Sequence, residues 1–313
     1  MTSAENGRVL VAGSINMDVV VRVDRHPKPG ESLVGRSLAY FPGGKGANQA
    51  VAAAKAGATV LMLGAVGSDS FGPELLDFLT SNRVDVSHVA SRAGVSSGTA
   101  VVLVDASGEN ELVVVPGANA SVDEAIVRGT EITAADIVVA QFETPLATTR
   151  AFFTCARDEG ARCVLNPAPA APIPDDLLAL TDVLIVNETE LGAASGTTIT
   201  ATPSVSEVRV GCETLRARGF EGALVATLGA RGSITMTSDG VIEVPARRVT
   251  AVDTTAAGDC FVGYVAGGIA EGTAIDEVLG MATIAASLCV QVPGAGPSLP
   301  SRERVLDASQ QTS

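Results

Sequence analysis

Short apolar runs alternating with helix-forming stretches constrain this 313-residue chain more than any other feature. Runs at 9–12, 59–63, 137–142, 162–165, 183–186 and 223–226 carry almost no polar alternation. Strands covered on both faces have this pattern, because neither face meets water. Helical stretches at 47–56, 74–82 and 146–159 fall between them. Ser121-Val-Asp-Glu124 and Ser204-Val-Ser-Glu207 have the spacing of capping boxes that open further helices. The alternation predicts an α/β chain with a mostly parallel central sheet flanked by helices.

Two regions break the rhythm. Segments 18–40 and 98–116 carry strand signals at 19–23 and 99–104 but little helix. A turn at Ser107-Gly-Glu-Asn110 leads into 111–115 and predicts a hairpin. The expectation is a single α/β domain over residues 1–313, with a small β-sheet lid inserted at about 18–42 and 97–117. Segment 278–301 has no charge, yet Pro293, Gly294, Gly296 and Pro297 interrupt it, so it predicts a buried helix and a loop rather than a membrane span. The polar tail, 308–313, is expected to fray.

Composition excludes several classes. A net charge of −14 repels nucleic acid backbones and anionic membranes, so neither is an expected partner. Cys155, Cys163, Cys212, Cys260 and Cys289 are odd in number and form no CxxC pair. That argues against a zinc ribbon or a secreted disulfide framework and fits a reducing cytosol. The first residues show no charged leader followed by an apolar stretch, so no signal peptide is expected and the cytoplasm is the expected location. Gly94-Val-Ser-Ser-Gly98 matches a nucleophile elbow, but His26 and His88 both precede Ser96, the wrong order for that triad. No P-loop, no HExxH and no GxGxxG after a strand is present. Asn119-Ala-Ser121 and Asn187-Glu-Thr189 match glycosylation acceptors by chance.

Polar or special residues directly follow the apolar runs: Gly13 to Asn16, Glu143, Asn166, Asn187, and Thr227-Leu-Gly229. Ligands of open parallel sheets bind beyond the carboxyl ends of the strands. Singly, each is more simply a strand ending in a polar turn. Together, the five point to one crevice. In Asp253-Thr-Thr-Ala-Ala-Gly-Asp259, the small residues Ala256, Ala257 and Gly258 precede an apolar helical stretch, 261–269. Such a helix start exposes backbone N–H groups to an anion. Asp259 then either complements the helix dipole, worth about 0.3–1 kcal/mol, or serves as a general base beside a bound phosphate. The loop 41–50 combines glycines with Lys45, which suits close approach of an anionic or polar ligand, or merely a flexible entry to a helix. Asn187-Glu-Thr-Glu190 has capping-box spacing; within a phosphate site, Glu190 also suits magnesium held through water.

Together these motifs resemble the ribokinase-like family of carbohydrate kinases. The likeness runs from Gly13-Ser-Ile-Asn-Met-Asp18 to Gly294-Ala-Gly-Pro-Ser298, with signatures at 43–50 and 253–261. Gln141-Phe-Glu-Thr-Pro145 and Asn166-Pro-Ala-Pro169 add to it. The resemblance implies ATP-dependent phosphorylation of D-ribose at the 5-hydroxyl. It makes Asp259 the base and gives Ala256, Ala257 and Gly258 the transferring phosphate. Asn16, Asp18, Gly44, Lys45, Asn48 and Glu143 would hold the sugar. Asn187, Thr227, Leu228, Gly229, Ala230, Arg231, Gly232 and Gly258 would contact ATP. Glu190 would organise magnesium. Asp253, Thr255, Cys289, Val292, Gly294 and Ser298 would surround potassium. A homodimer through the lid is also implied. Thr283 stands where the family commonly has an asparagine near the adenine, so the adenine pocket is expected to differ.

2-Deoxyribose, another pentose or a nucleoside are the alternative acceptors, and a non-catalytic sugar sensor is the alternative outside the enzymes. The amide and carboxylate cluster suits a polyhydroxylated sugar. With aromatics at 3% and no Trp, a stacking shelf for a nucleobase is hard to assemble. Intact Asp259, Lys45 and Glu190 argue against the sensor.

Overall fold

The computed structural model describes residues 7–310, so residues 1–6 and the last three residues of the polar tail lie outside the described residues. In chain order the strands are β1 (Val9–Ala12), β2 (Asn16–Arg22), β3 (Ser37–Gly43), β4 (Val60–Gly67), β5 (Val84–Arg92), β6 (Gly98–Val104), β7 (Asn110–Val115), β8 (Ile137–Ala140), β9 (Arg162–Leu165), β10 (Val183–Val186), β11 (Ala223–Thr227), β12 (Ser233–Met236) and β13 (Val241–Val244). The helices are α1 (Lys45–Ala56), α2 (Phe71–Ser81), α3 (Glu124–Arg128), α4 (Leu146–Asp158), α5 (Asp175–Ala179), α6 (Glu188–Ser195), α7 (Val205–Arg216), α8 (Ala257–Ala270), α9 (Ile275–Cys289) and α10 (Arg302–Gln310). Residues 308–310 thus close α10 rather than fray. None of the described helices is long and apolar enough to cross a membrane.

Among the described residues, nine strands form one sheet in the order β13-β12-β11-β10-β9-β8-β1-β4-β5. Pairing is parallel from β5 to β11 and antiparallel at β12 and β13. The unbroken apolar runs are explained by burial on both faces. Val9, Val11, Ile137, Val139, Val183 and Ile185 enter one core with α1, α8 and α9. Their neighbours Leu10, Ala12, Val138, Ala140, Leu184 and Val186 enter the other with α4 and α7. Successive side chains of a strand alternate faces, so each run feeds both cores.

The second sheet has the order β3-β2-β6-β7. β2 pairs antiparallel with β3 and parallel with β6, and β6–β7 is the expected hairpin. β2 begins three residues earlier than the 19–23 signal, which carries Asn16 and Asp18 onto the strand. β4 extends past 63 to Gly67 because every residue in it stays buried. β8 ends at Ala140, since the Phe142 N–H leaves the ladder and donates to the Ala168 carbonyl. The capping box at Ser204 forms. The one expected at Ser121–Glu124 does not: Val122 is extended, the helix starts later, and the Asp123 carboxylate accepts from the Ile126 N–H instead.

Small residues set the spacing of α1 and α8. A Cβ added at Gly263 would lie 2.4 Å from Ala52 Cβ, 2.5 Å from the Gln49 carbonyl oxygen and 2.8 Å from the Ala53 nitrogen. Two of these atoms are backbone, so the helices must separate to admit a side chain. Gly263→Val should therefore cost about 1–3 kcal/mol by overpacking. Gly280→Ala on α9 meets nothing within 4 Å. It should stabilise by about 0.5–1 kcal/mol through the backbone entropy of the unfolded chain. Paired melting curves of the two variants check both signs.

Candidate active site

Strand order changes direction between β1 and β8: β1, β4 and β5 proceed one way, β8 to β11 the other. A crevice opens beyond the carboxyl ends at such a switch point. The chain leaving β1 turns through Gly13, Ser14 and Ile15 directly into β2. Asn16 and Asp18 share one face of β2 by period two, and α1 begins just after β3. Gly44 caps α1 with φ 92°, and an added Cβ there would lie 2.8 Å from the Asn16 nitrogen. That backbone conformation and that space admit glycine only.

Four carboxylates converge on one lysine. Asp259, Glu143, Glu190 and Asp18 all raise the Lys45 ammonium further into its charged form, Asp259 most strongly, against its burial. Ser14 Oγ donates to Glu143 Oε2, which also accepts the Lys45 backbone N–H at 3.3 Å. Burial, with Glu143 and Asp259 nearby, pushes the Asp18 carboxyl up to about 7, and Lys45 opposes the shift. Burial likewise raises Glu190. Asp259 is 7% exposed in the first turn of α8. Its Oδ2 accepts from Asn48 Nδ2 and its Oδ1 from Gln49 Nε2, each at 3.0 Å.

The structure thus brings Asn16, Asp18, Gly44, Lys45, Asn48, Glu143 and Asp259 together. Three neighbours were not singled out by sequence: Ser14, Gln49 and Asn119. Asn119 is buried in the turn after β7. Its Nδ2 donates to Asn16 Oδ1 at 2.7 Å, and its Oδ1 accepts from the Ile15 N–H at 2.9 Å. That leaves Asn16 its amide N–H groups to offer. Gln49 lies within the 43–50 signature but was given no role there. Asn119, about a hundred residues from Asn16, left no signal beyond a spurious glycosylation match.

Beyond Asp259 lies a cavity of about 560 Å³. Ala257, Gly258, Thr227, Gly229, Ala230, Gly232 and Thr283 line it. Ala246 to Val249, Phe261, Ala286 and Val290, not foreseen, also form part of its walls. Ala256 caps α8 in the left-handed conformation, φ 61°, which turns the chain into the helix beside this cavity. Leu228 is buried beneath the loop, and Arg231 donates to the Pro203 carbonyl at 2.8 Å. Asn187 caps α6 in the expected capping box with Glu190. Thr283 Oγ1 donates to the Leu279 carbonyl of its own helix.

Asp253 and the loop 289–298 are knotted together beside the start of α8. Asp253 Oδ1 accepts from the Thr255 N–H and Oδ2 from the Gly294 N–H, both at 2.9 Å. Burial raises its carboxyl, but these hydrogen bonds win and hold it below the usual range. Cys289 Sγ lies 3.0 Å from Ser298 Oγ and 3.8 Å from the Thr255 carbonyl, and the Val292 N–H donates to the Cys289 carbonyl.

The raised Asp18 carboxyl has a stability consequence. The folded protein keeps a proton there that the unfolded chain loses in the ordinary carboxyl range. That contribution is present at acid pH and is lost as pH rises through about 7. In Asp18→Asn the Tm of ligand-free protein should fall less between about pH 5 and about pH 8 than in wild type, as pH-dependent melting would show.

Residues 6–302 match the pfkB family of carbohydrate kinases. A ribokinase of Haemophilus influenzae is 36% identical over 299 residues, spanning 95% of this chain and 96% of that protein. A deoxyribokinase of Salmonella typhi is 34% identical over 299 residues, spanning 95% and 96%. The structure of Arabidopsis thaliana ribokinase complexed with ribose and ATP superposes with a TM-score of 0.87 at 31% identity, covering 96% of this chain and 98% of that one. With the family's match spanning nearly the whole chain, the chain belongs to the pfkB family of carbohydrate kinases.

Proposed function

We propose that this chain transfers the γ-phosphoryl group of ATP to the 5-hydroxyl of D-ribose. One observation carries the reading: Asp259, a buried carboxylate fixed by two amides, separates a cluster of hydroxyl-binding groups from a nucleotide-sized cavity. The ribokinase relatives and the ribose–ATP complex of the Arabidopsis protein support it.

On the sugar side, Asp18 and Glu143 accept hydroxyl protons, while Asn16 and Lys45 donate. Asn48 Oδ1 is buried and has no partner, and a sugar hydroxyl satisfies it. Asp259 takes the proton of the 5-hydroxyl as its oxygen bonds to the γ-phosphorus and the bond to ADP breaks. Phosphoryl transfer needs positioning and charge stabilisation more than covalent help. The N–H groups of Ala256 and Gly258 face the transferring phosphate, while that of Ala257 donates to the Thr254 carbonyl at 3.3 Å and must leave it to join them; comparable donors in acyl transfer are worth about 2.7–4 kcal/mol each.

Among the described residues there is no group of three or more His, Cys, Asp or Glu able to hold a metal. Glu190, buried near the start of α6, would hold magnesium through water, and the ion would supply neutralisation of phosphate charge. The knot of Asp253, Thr255, Cys289, Val292, Gly294 and Ser298 is rich in carbonyl, carboxylate and hydroxyl oxygens, a donor set that suits potassium next to the α8 N-terminus. Five free cysteines, four of them buried, support a reducing, cytoplasmic setting.

2-Deoxyribose is the second reading, favoured by the deoxyribokinase likeness. Buried carboxylates and amides left unpaired by a missing hydroxyl discriminate by about 10⁴-fold, which favours ribose.

The lid sheet is proposed to close on a second copy of itself. Leu112, Val113, Val114 and Val115 of edge strand β7 are 42–63% exposed, as are Leu38 and Tyr40 of β3 at 54% and 50%. An apolar edge of this kind is a pairing surface unless covered.

Asp259→Asn should cut kcat by about 10²-fold or more while ribose affinity, read by calorimetry, stays within a few-fold. Unchanged kcat would remove Asp259 from the base role. Leu112→Glu with Val114→Glu should convert a dimer to a monomer in light scattering; wild-type protein running as a monomer would refute the lid interface.

A further inference from the structure

Beneath Asp259 lie three buried carboxamides, of which only the Gln49 contact with Asp259 has been used above: Gln49 and Gln141, both fully buried, and Asn166 at 7% exposure. They come from three elements, the first turns of α1 and the residues just past β8 and β9. Gln141 Nε2 donates to Gln49 Oε1 at 2.6 Å. Gln49 Nε2 donates to Asp259 Oδ1 at 3.0 Å and to Asn166 Oδ1 at 3.1 Å. Asn166 Nδ2 donates to the Ile185 carbonyl at 3.0 Å and to Glu190 Oε2 at 3.4 Å.

The direction of this chain is forced. Ionised carboxylates only accept, so Gln49 must turn its NH₂ to Asp259. Its oxygen then faces Gln141, which must donate. Asn166 must accept from Gln49 and donate towards Glu190. Flipping Gln49 or Asn166 sets oxygen against oxygen at two contacts, and flipping Gln141 does so at one. Gln141 completes this arrangement at a cost in stability: its Oε1 is buried with no partner. Gly13 leaves it room, since a Cβ there would lie 2.1 Å from that oxygen. An apolar residue of the same size would remove this orphan but leave Gln49 Oε1 unpaired, so what a glutamine supplies at 141 is the donor that fixes the Gln49 amide.

We propose that Gln141, Gln49 and Asn166 form a one-way hydrogen-bond relay that holds Asp259 and Glu190 in their working orientations, with Gln49 and Gln141 as positioning residues. Gln141 touches neither carboxylate and acts only by keeping the Gln49 amide from flipping. This deepens the phosphoryl-transfer reading and rests on it.

The test is a double-mutant cycle with the near-isosteric variants Gln141→Met, Gln49→Met and the pair, measured on whichever sugar the wild-type enzyme phosphorylates. That choice keeps an error about ribose separate from an error about the relay. Gln141→Met should lower kcat by about ten-fold with sugar KM within about two-fold, and with Tm near wild type because one orphaned oxygen replaces another. The double variant should be no slower than Gln49→Met alone, because Gln141 works only through Gln49. Losses in log kcat that add, or a Gln141→Met enzyme with wild-type kcat, would overturn the relay. If Gln49→Met does not fold, the split between kcat and KM in Gln141→Met decides alone.

Discussion

Helices α1 and α8 approach so closely that a single methyl on Gly263 would strike the backbone of Gln49 and Ala53. Everything at the crevice follows from that approach. α1 carries Lys45, Asn48 and Gln49 in its first turns, and α8 carries Asp259 in its own. Only at this spacing do the two amides reach the two carboxylate oxygens. The same contact fixes where the N-terminal N–H groups of α8 stand relative to the sugar cluster. A stability feature, small residues at a helix interface, is therefore also the feature that registers Asp259 against the α1 side chains and the cavity beyond it.

Electrostatics sharpen the arrangement. Four carboxylates stand around one lysine, and burial, reinforced by Glu143 and Asp259, lifts the Asp18 carboxyl to about 7 against the pull of Lys45. A polyhydroxylated ligand would donate hydrogen bonds to these carboxylates, and the α8 N-terminus supplies positive potential on the side of the cavity. The base of the lid takes part as well. A Cβ at Gly294 would meet Phe41 at 3.0 Å, and one at Gly296 would meet the Pro42 carbonyl at 2.9 Å. The strand that leads into α1 thus packs on the loop that ties down Asp253.

Much of the fold was legible because burial on both faces writes itself as unbroken apolar runs; β1, β9 and β10 end where those runs end. The ends of β4 and β8 were not, because an apolar residue can continue a strand or leave it, and tertiary hydrogen bonds decide. The cap at Asp123 was missed because Ser121 offered the right spacing while the backbone at Val122 stayed extended. At the site, residues in Gly-rich or helix-start motifs were visible through local chemistry. Asn119, Gln49 and Gln141 were not singled out, since their roles consist of contacts with residues about 90 to 210 positions away in sequence. The nucleotide cavity walls at 246–249 have no motif at all.

The central claim is that one crevice joins a ribose site to an ATP site across Asp259. ADP release from ATP and magnesium by the purified chain tests it most directly, with ribose, 2-deoxyribose, fructose, adenosine or no sugar, each with and without potassium. The account predicts release that depends on ribose, exceeds that with every other acceptor, and rises with potassium. Release that is greatest with adenosine, or that is the same with and without any sugar, would contradict it.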